Sequence, residues 1–269
     1  MPQPPRVYKS PAIVLRQRRL GDADKIVTLY TANYGKVDAV AKGVRRTRSK
    51  LAGHVEPLNH GSFLLARGRN LDIITQAQTI EAFQPLRDEL ERLSRGFYVV
   101  ELVDRFTEER EENFRLYRLL LDTLRRMSQR DDLDTVLRYF EVSLLELLGY
   151  RPELEECVSC RARLEPVTNY WSAGGGGVLC PGCLPPEEPV RSLSVNALKV
   201  LRLMQRDSFS QVARVNVPPD LARELEGHLR EYVRYVLERD VRSAAFIDAV
   251  RRQPRPPVRT ATAPGEGTG

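Results

Sequence analysis

The sequence predicts an α+β protein, with a five-stranded OB-type β-barrel at the N-terminus followed by an α-helical domain that carries an inserted four-cysteine module. Three observations lead there. Up to about Phe83 the apolar residues gather in short β-rich runs broken by turn residues; beyond Gln84 and Pro85 they recur every three to four positions; and the cysteines arrive as two close pairs inside the helical part. At 269 residues the chain exceeds the usual ~100 to 200 residues of one domain. The expected organisation is a barrel over 1–83, a helical domain over 84–253 with the module at 155–186, and a disordered tail over 254–269.

The barrel strands follow one another with turn chemistry between them. Ala12 to Arg16 begins the first, Lys25 to Tyr30 the second after a turn at Gly21-Asp22, and Gly35 to Lys42 the third after the Asn33-Tyr34-Gly35 turn. Gly61 to Ala66 and Leu71 to Gln78 give the fourth and fifth, joined by Arg67-Gly68-Arg69-Asn70. A long connection between the third and fourth strands suits an OB barrel, and an SH3-like barrel is the nearest rival.

Helical periodicity then takes over. Leu86, Leu90 and Leu93 mark one stretch, Phe97, Val100, Leu102 and Val103 a second, and Leu116, Leu119, Leu120 and Leu124 a third. A fourth runs from Val136 to Leu148 and ends at Gly149, with Arg151-Pro152 preventing continuation. After the module, Ser194 is a good N-cap for Ala197 to Met204, and Pro218-Pro219-Asp220 precede a helix from Leu221 to Leu237.

Cys157-Val-Ser-Cys160 and Cys180-Pro-Gly-Cys183 are two C-x2-C pairs separated by 19 residues, inside the spacing range of zinc sites. Each pair forms a tight turn whose thiolates grip one face of a tetrahedral ion. Asn169 to Leu179 between them reads as a hairpin with a flexible glycine tip at Gly174–Gly177, which folds the second knuckle over the first. Four thiolates close the coordination shell, so one structural Zn2+ is expected. A zinc deaminase is excluded, because no His-x-Glu lies upstream and no proline precedes Cys180.

Charge separates the two parts. Residues 1–80 hold 14 Lys/Arg against 5 Asp/Glu, whereas residues 81–269 hold 28 against 31. The basic surface therefore belongs to the barrel and points to a polyanion. Its densest run, Lys42, Arg45, Arg46, Arg48 and Lys50, places five cations within nine residues where the third strand enters the long connection. Arg16, Arg18, Arg19 and Lys36 extend the same surface. Such cations neutralise phosphates, giving DNA binding that weakens steeply with salt and reads little sequence. Aromatic platforms for base stacking are thin, since Tyr8, Tyr30, Tyr34, Phe63 and Phe83 fit the core better, so backbone contacts should dominate affinity even if Tyr34 touches a base.

Other chemistry is thinly represented. The glycine run is no phosphate loop, and His54, His60 and His228 lack metal-binding spacing. Asp22, Asp24 and Asp38 invite a metal-dependent nuclease reading but fit turn and barrel-edge positions better. An RNA-binding barrel protein of the translation apparatus is the alternative from another class. No apolar run approaches the ~18 residues needed to cross a bilayer, and no hydrophobic segment follows Arg6 to form a signal peptide, so a cytoplasmic, nucleoid-associated protein without a membrane partner is expected.

The order of basic barrel, helical domain and inserted cysteine module resembles the bacterial recombination mediator family RecO. The likeness spans residues 6–250 and is carried by Gly21 with Asp24, the turn ending at Gly35, Ala41-Lys-Gly-Val-Arg-Arg-Thr-Arg-Ser-Lys50 leading to Glu56-Pro57-Leu58, and Gly149-Tyr-Arg-Pro-Glu153. The resemblance implies a DNA repair factor without a catalytic site. Such a factor binds single- and double-stranded DNA, anneals complementary strands and works with RecR to help load RecA onto DNA coated by single-strand-binding protein, itself a further possible partner. Members of the family do not all keep four cysteines, so zinc rests on Cys157, Cys160, Cys180 and Cys183 themselves.

Overall fold

The computed structural model describes residues 6–184, 190–238 and 241–252. The expected tail over 254–269 lies outside them. Strands β1 (Val7–Leu20), β2 (Asp24–Thr31), β3 (Gly35–Ala41), β4 (His60–Ala66) and β5 (Asp72–Glu81) close into a barrel in the order β1-β2-β3-β5-β4. The pairings are antiparallel except β3 with β5, where Ala39 meets Asp72 and Val40 meets Ile73 in parallel. That closure is the OB arrangement and excludes the SH3-like rival. A bulge between Val14 and Arg16 bends β1 so that it pairs with β4 along its first half and β2 along its second. The strand starts at Val7 instead of Ala12. Pro11 reads as a break, yet it is carried inside the strand, with its carbonyl accepting from the Ala32 N–H at 2.9 Å.

Tyr8, Val14, Val27, Leu29, Phe63 and Leu65 fill the barrel, and the β3–β4 connection plugs it with Val44 and Val55. The outer side of β2 is covered too. Tyr30 is fully buried and joins Ile13, Leu15 and Ala32 in one core with the helices. Burying each such large side chain contributes roughly 1.5–3 kcal/mol, which docks barrel and helices through apolar contact.

The helical part comprises α1 (Gln84–Asp88), α2 (Leu90–Phe106), α3 (Phe114–Gln129) and α4 (Leu133–Leu147) before the module. After it come α5 (Val195–Arg206), α6 (Phe209–Val212), α7 (Pro219–Leu237) and α8 (Arg242–Arg251). Local chemistry sets the boundaries. Asn113 and Ser194 cap α3 and α5 by accepting from the N–H groups of Leu116 and Ala197. Gly149 ends α4 in a left-handed turn that lets the Tyr150 N–H reach the Leu145 carbonyl at 2.8 Å. Inside the bundle, Arg138 and Glu141 are buried 3.1 Å apart, and the Tyr98 hydroxyl donates to Glu141 at 2.7 Å.

The inserted module forms a sheet of β6 (Asn169–Ser172), β7 (Gly177–Leu179) and β8 (Arg191–Leu193) in the order β7-β6-β8. Trp171, fully buried, packs edge-on against Tyr232 of α7 with ring centroids 5.7 Å apart. The module thus shares the main core.

Candidate nucleic-acid interface and metal centre

The hairpin between β1 and β2 and the end of β3 form one pole of the barrel. Arg19 pairs with Lys25 and Lys25 with Ala41 across the three strands, so Arg18, Arg19 and Lys42 come together there. The basic segment is then folded back onto the pole. The Gly43 N–H donates to Asp24 at 2.7 Å, the Arg45 N–H donates to the Ala23 carbonyl at 2.9 Å, and the Arg45 guanidinium donates to the carbonyls of Gly21 and Asp22. Lys42, Arg45, Arg46, Arg48 and Lys50 are all exposed, and none has a carboxylate within ion-pair distance among the described residues. Several helical cations differ. Arg92 pairs with Glu89 and Asp131, Arg230 with Glu226 and Asp248, and Arg251 with Glu226 and Asp134.

Arg16 and Lys36 are placed elsewhere, at the junction with α2. Both reach Asp104. Arg16 Nε donates to its carboxylate at 2.7 Å, and Lys36 Nζ donates to its carbonyl at 2.6 Å with the carboxylate 3.5 Å away. The Lys36 side chain is only 13% exposed, against 47% for Arg16, so its charge is spent inside the protein. Residues 107–113 reinforce this cover along β3. The Arg110 N–H donates to the Lys36 carbonyl at 2.8 Å, and a side chain on Gly35 would place its Cβ 1.9 Å from the Glu111 carbonyl oxygen. Gly35 also turns at φ 62°, so glycine is required twice over. Arg18, at 56% exposure, lies 3.8 Å from Asp38 and stays accessible.

Tyr34 packs edge-on against Tyr8, with centroids 4.4 Å apart, and Arg67 lies over the other ring at 5.2 Å. The surface is accordingly rich in cations and poor in free aromatic faces. Of the three aspartates, Asp24 accepts from Gly43 and Asp38 from the Thr28 hydroxyl. They hold turns and strands, and among the described residues the cysteines are the metal-ligating side chains that converge. His54 contacts the Thr79 hydroxyl at 2.8 Å. His60 bridges Glu81 and the Tyr117 hydroxyl, with Arg125 clamping Glu81 from α3. Burial holds the His60 imidazole below its ordinary pKa, and the Arg125 guanidinium holds the Glu81 carboxyl below its own.

The sulfurs of Cys157, Cys160, Cys180 and Cys183 all lie within 4.8 Å of one another and could hold a metal ion. Cys160 and Cys180 are 3.8 Å apart. A tetrahedral ion with ~2.3 Å bonds to sulfur sets its ligands about 3.8 Å apart, whereas a disulfide needs ~2.05 Å. Hydrogen bonding to the Cys160 thiol pushes the pKa of the Cys183 thiol up to about 12. Cys157 is drawn down to about 6, because N–H groups from Cys160, Cys180 and Ser159 outweigh its burial. The hairpin that brings the knuckles together is β6–β7, as its glycine-rich tip suggests. Its last glycine serves close packing, because a Cβ on Gly177 would lie 2.3 Å from the Glu153 carbonyl oxygen.

Sequence reasoning passes over Lys9, Arg67 and Arg69, which are exposed cations of the same barrel. Isolated in strands and turns, they form no pattern. It also passes over Asp104, whose role depends on a contact across 88 positions.

Two family models cover most of the chain, one described as Recombination protein O N terminal over residues 6–83 and one as Recombination protein O C terminal over residues 87–245. The chain is 42% identical over 250 residues to the DNA repair protein RecO of Roseiflexus sp. (strain RS-1), covering 93% of this chain and 88% of the relative. It is 38% identical over 247 residues to that of Dehalococcoides mccartyi (strain CBDB1), covering 92% and 97%. Against that of Pelotomaculum thermopropionicum the identity is 36% over 249 residues, covering 93% and 96%.

Proposed function

The chain belongs to the recombination protein O (RecO) family of DNA repair proteins, and we propose that it acts there as a non-enzymatic mediator that binds single- and double-stranded DNA through the basic pole of its barrel. The observation that carries this reading is the set of five exposed cations from Lys42 to Lys50, on a segment that Arg45 fastens to the β1–β2 hairpin, without carboxylate partners among the described residues. Cations not neutralised within the fold are free to displace counterions from phosphates. Arg18 and Arg19 extend the surface, whereas Arg16 and Lys36 lie away from it, held at the α2 junction by Asp104. Because the contacts are to backbone and not to base edges, many DNA sequences are accepted, which strand annealing requires.

Within the same reading, the barrel holds DNA while the helical domain docks partners. Working with RecR, the chain helps load RecA onto strands coated by single-strand-binding protein. The cysteine cluster takes one structural Zn2+, which fixes the module against α7 and takes no part in chemistry. The protein works in the cytoplasm at the nucleoid, and among the described residues no helix is long and apolar enough to cross a membrane.

The test is DNA affinity over a salt series for wild type and for Arg45→Ala/Arg46→Ala/Arg48→Ala. For every phosphate that the substituted protein no longer neutralises, the slope of log K against log salt should fall by about 0.7 on single strands and about 0.9 on duplex. An unchanged slope would overturn the assignment, and a marked preference for structured RNA would transfer it to the translation apparatus.

A further inference from the structure

The barrel has a second open face, on the side away from the helices. The outer side chains of β1, β4 and β5 stand in rows, with Lys9, Leu64 and Gln76 in one and Pro11, Ser62 and Gln78 in the next. The helices do not cover this face. Lys9, Thr75, Gln76 and Gln78 are exposed, whereas β2 is buried on both sides from Ile26 to Thr31. Lys50 and Leu51, from the connection after β3, overhang it and complete a groove of about 430 Å³. No carboxylate lines the groove, and neither lysine has an ion-pair partner among the described residues.

We propose that this groove is a second track for single-stranded nucleic acid, a proposal that rests on reading the basic pole as the first. Its chemistry is that of a backbone-led site. Two ammonium groups are placed to meet phosphates, and glutamine amides and hydroxyls both donate and accept towards sugars and base edges. The two tracks are joined by one segment. Arg45 is fastened to Gly21 and Asp22 at the pole, and Lys50 reaches the groove five residues later. Five residues of chain span at most about 17 Å, so the backbone positions of Arg45 and Lys50, one at each track, lie within about two Debye lengths of each other at physiological salt. A single chain thereby presents two complementary strands side by side.

The experiment counts oligothymidylates of about eight nucleotides bound per full-length chain, a length within the site size of one OB barrel. Wild type should bind two. Lys9→Glu should bind one, with first-site affinity within about twofold of wild type and annealing of complementary strands slowed about tenfold; Arg45→Ala/Arg46→Ala/Arg48→Ala should keep only the groove site. Gln76→Ala/Gln78→Ala probes the groove without changing its charge and should weaken only the second oligonucleotide. Saturation of wild type at one oligonucleotide, lost on substituting Arg45, Arg46 and Arg48, would overturn the groove while leaving the pole intact. Binding that survives both sets of substitutions would overturn the pole as well. A polyglutamate peptide that binds through Lys9 and Lys50 without displacing oligothymidylate would give the groove to a protein partner and also overturn the proposal.

Discussion

Gly177→Ala is expected to destabilise the protein by about 2–6 kcal/mol and to strip the cysteine cluster of metal. The added Cβ meets the Glu153 carbonyl oxygen at 2.3 Å, the Glu153 nitrogen at 2.8 Å and a Val158 methyl at 2.9 Å. An ordinary contact is about 1 Å longer, so backbone must move. Both sides of the contact are fastened: Glu153 donates to the Gly176 carbonyl at 2.9 Å, Val178 donates to Glu153 at 3.1 Å, and Val158 donates to Val178 at 2.9 Å. Opening two of these bonds costs about 1–3 kcal/mol, and overpacking adds about 1–3 kcal/mol. Because Val158 follows Cys157, the first knuckle moves with it. Urea denaturation followed by circular dichroism, with metal content measured on the same samples, reads both effects. Gly53→Ala is the control, since a Cβ there meets nothing within 4 Å. A Gly177→Ala protein within about 0.5 kcal/mol of wild type and fully metal-loaded would show that the backbone around Glu153 accommodates the Cβ.

Other outcomes follow from the same structure. Cys180→Ser should reduce bound metal from one per chain to a small fraction and lower the melting temperature, with DNA affinity changed less than about threefold; elemental analysis and fluorescence anisotropy check the two halves. Arg138→Met leaves Glu141 buried without its counter-charge and should cost about 3–5 kcal/mol by denaturant titration. His60 and Glu81 both have pKa values depressed by the fold, so each contributes stability that is present above its unfolded-state pKa and lost as pH falls. The melting temperature should therefore fall as pH drops below about 6.5, through His60, and again below about 4.5, through Glu81. In His60→Gln the first of these declines should flatten.

The elements were legible where a local pattern carried them. Five strands, the helix from Val136 to Gly149 and the paired cysteines all announce themselves through period or spacing. Two helices did not. In α6, four residues are too few to show a period, and α8 spreads Phe246, Ile247 and Val250 among charges and alanines without a clear stripe. The strand face that the helices cover was equally hidden, because burial of Tyr30 and capture of Lys36 depend on α2 and on residues 107–113. Net charge marked the barrel as basic, but only the fold separates the cations left without carboxylate partners from those held by Asp104, Asp38 and Glu56.

The proposed role of the cations at the barrel pole is to hold DNA strands for pairing. Its most direct measurement is annealing of two complementary labelled oligonucleotides, one precoated with single-strand-binding protein, over a salt series with and without alanine at Arg45, Arg46 and Arg48. Acceleration by wild type that weakens with salt and disappears in the substituted protein is the predicted result. Equal acceleration by both proteins, or none by a folded, metal-loaded wild type, would contradict it.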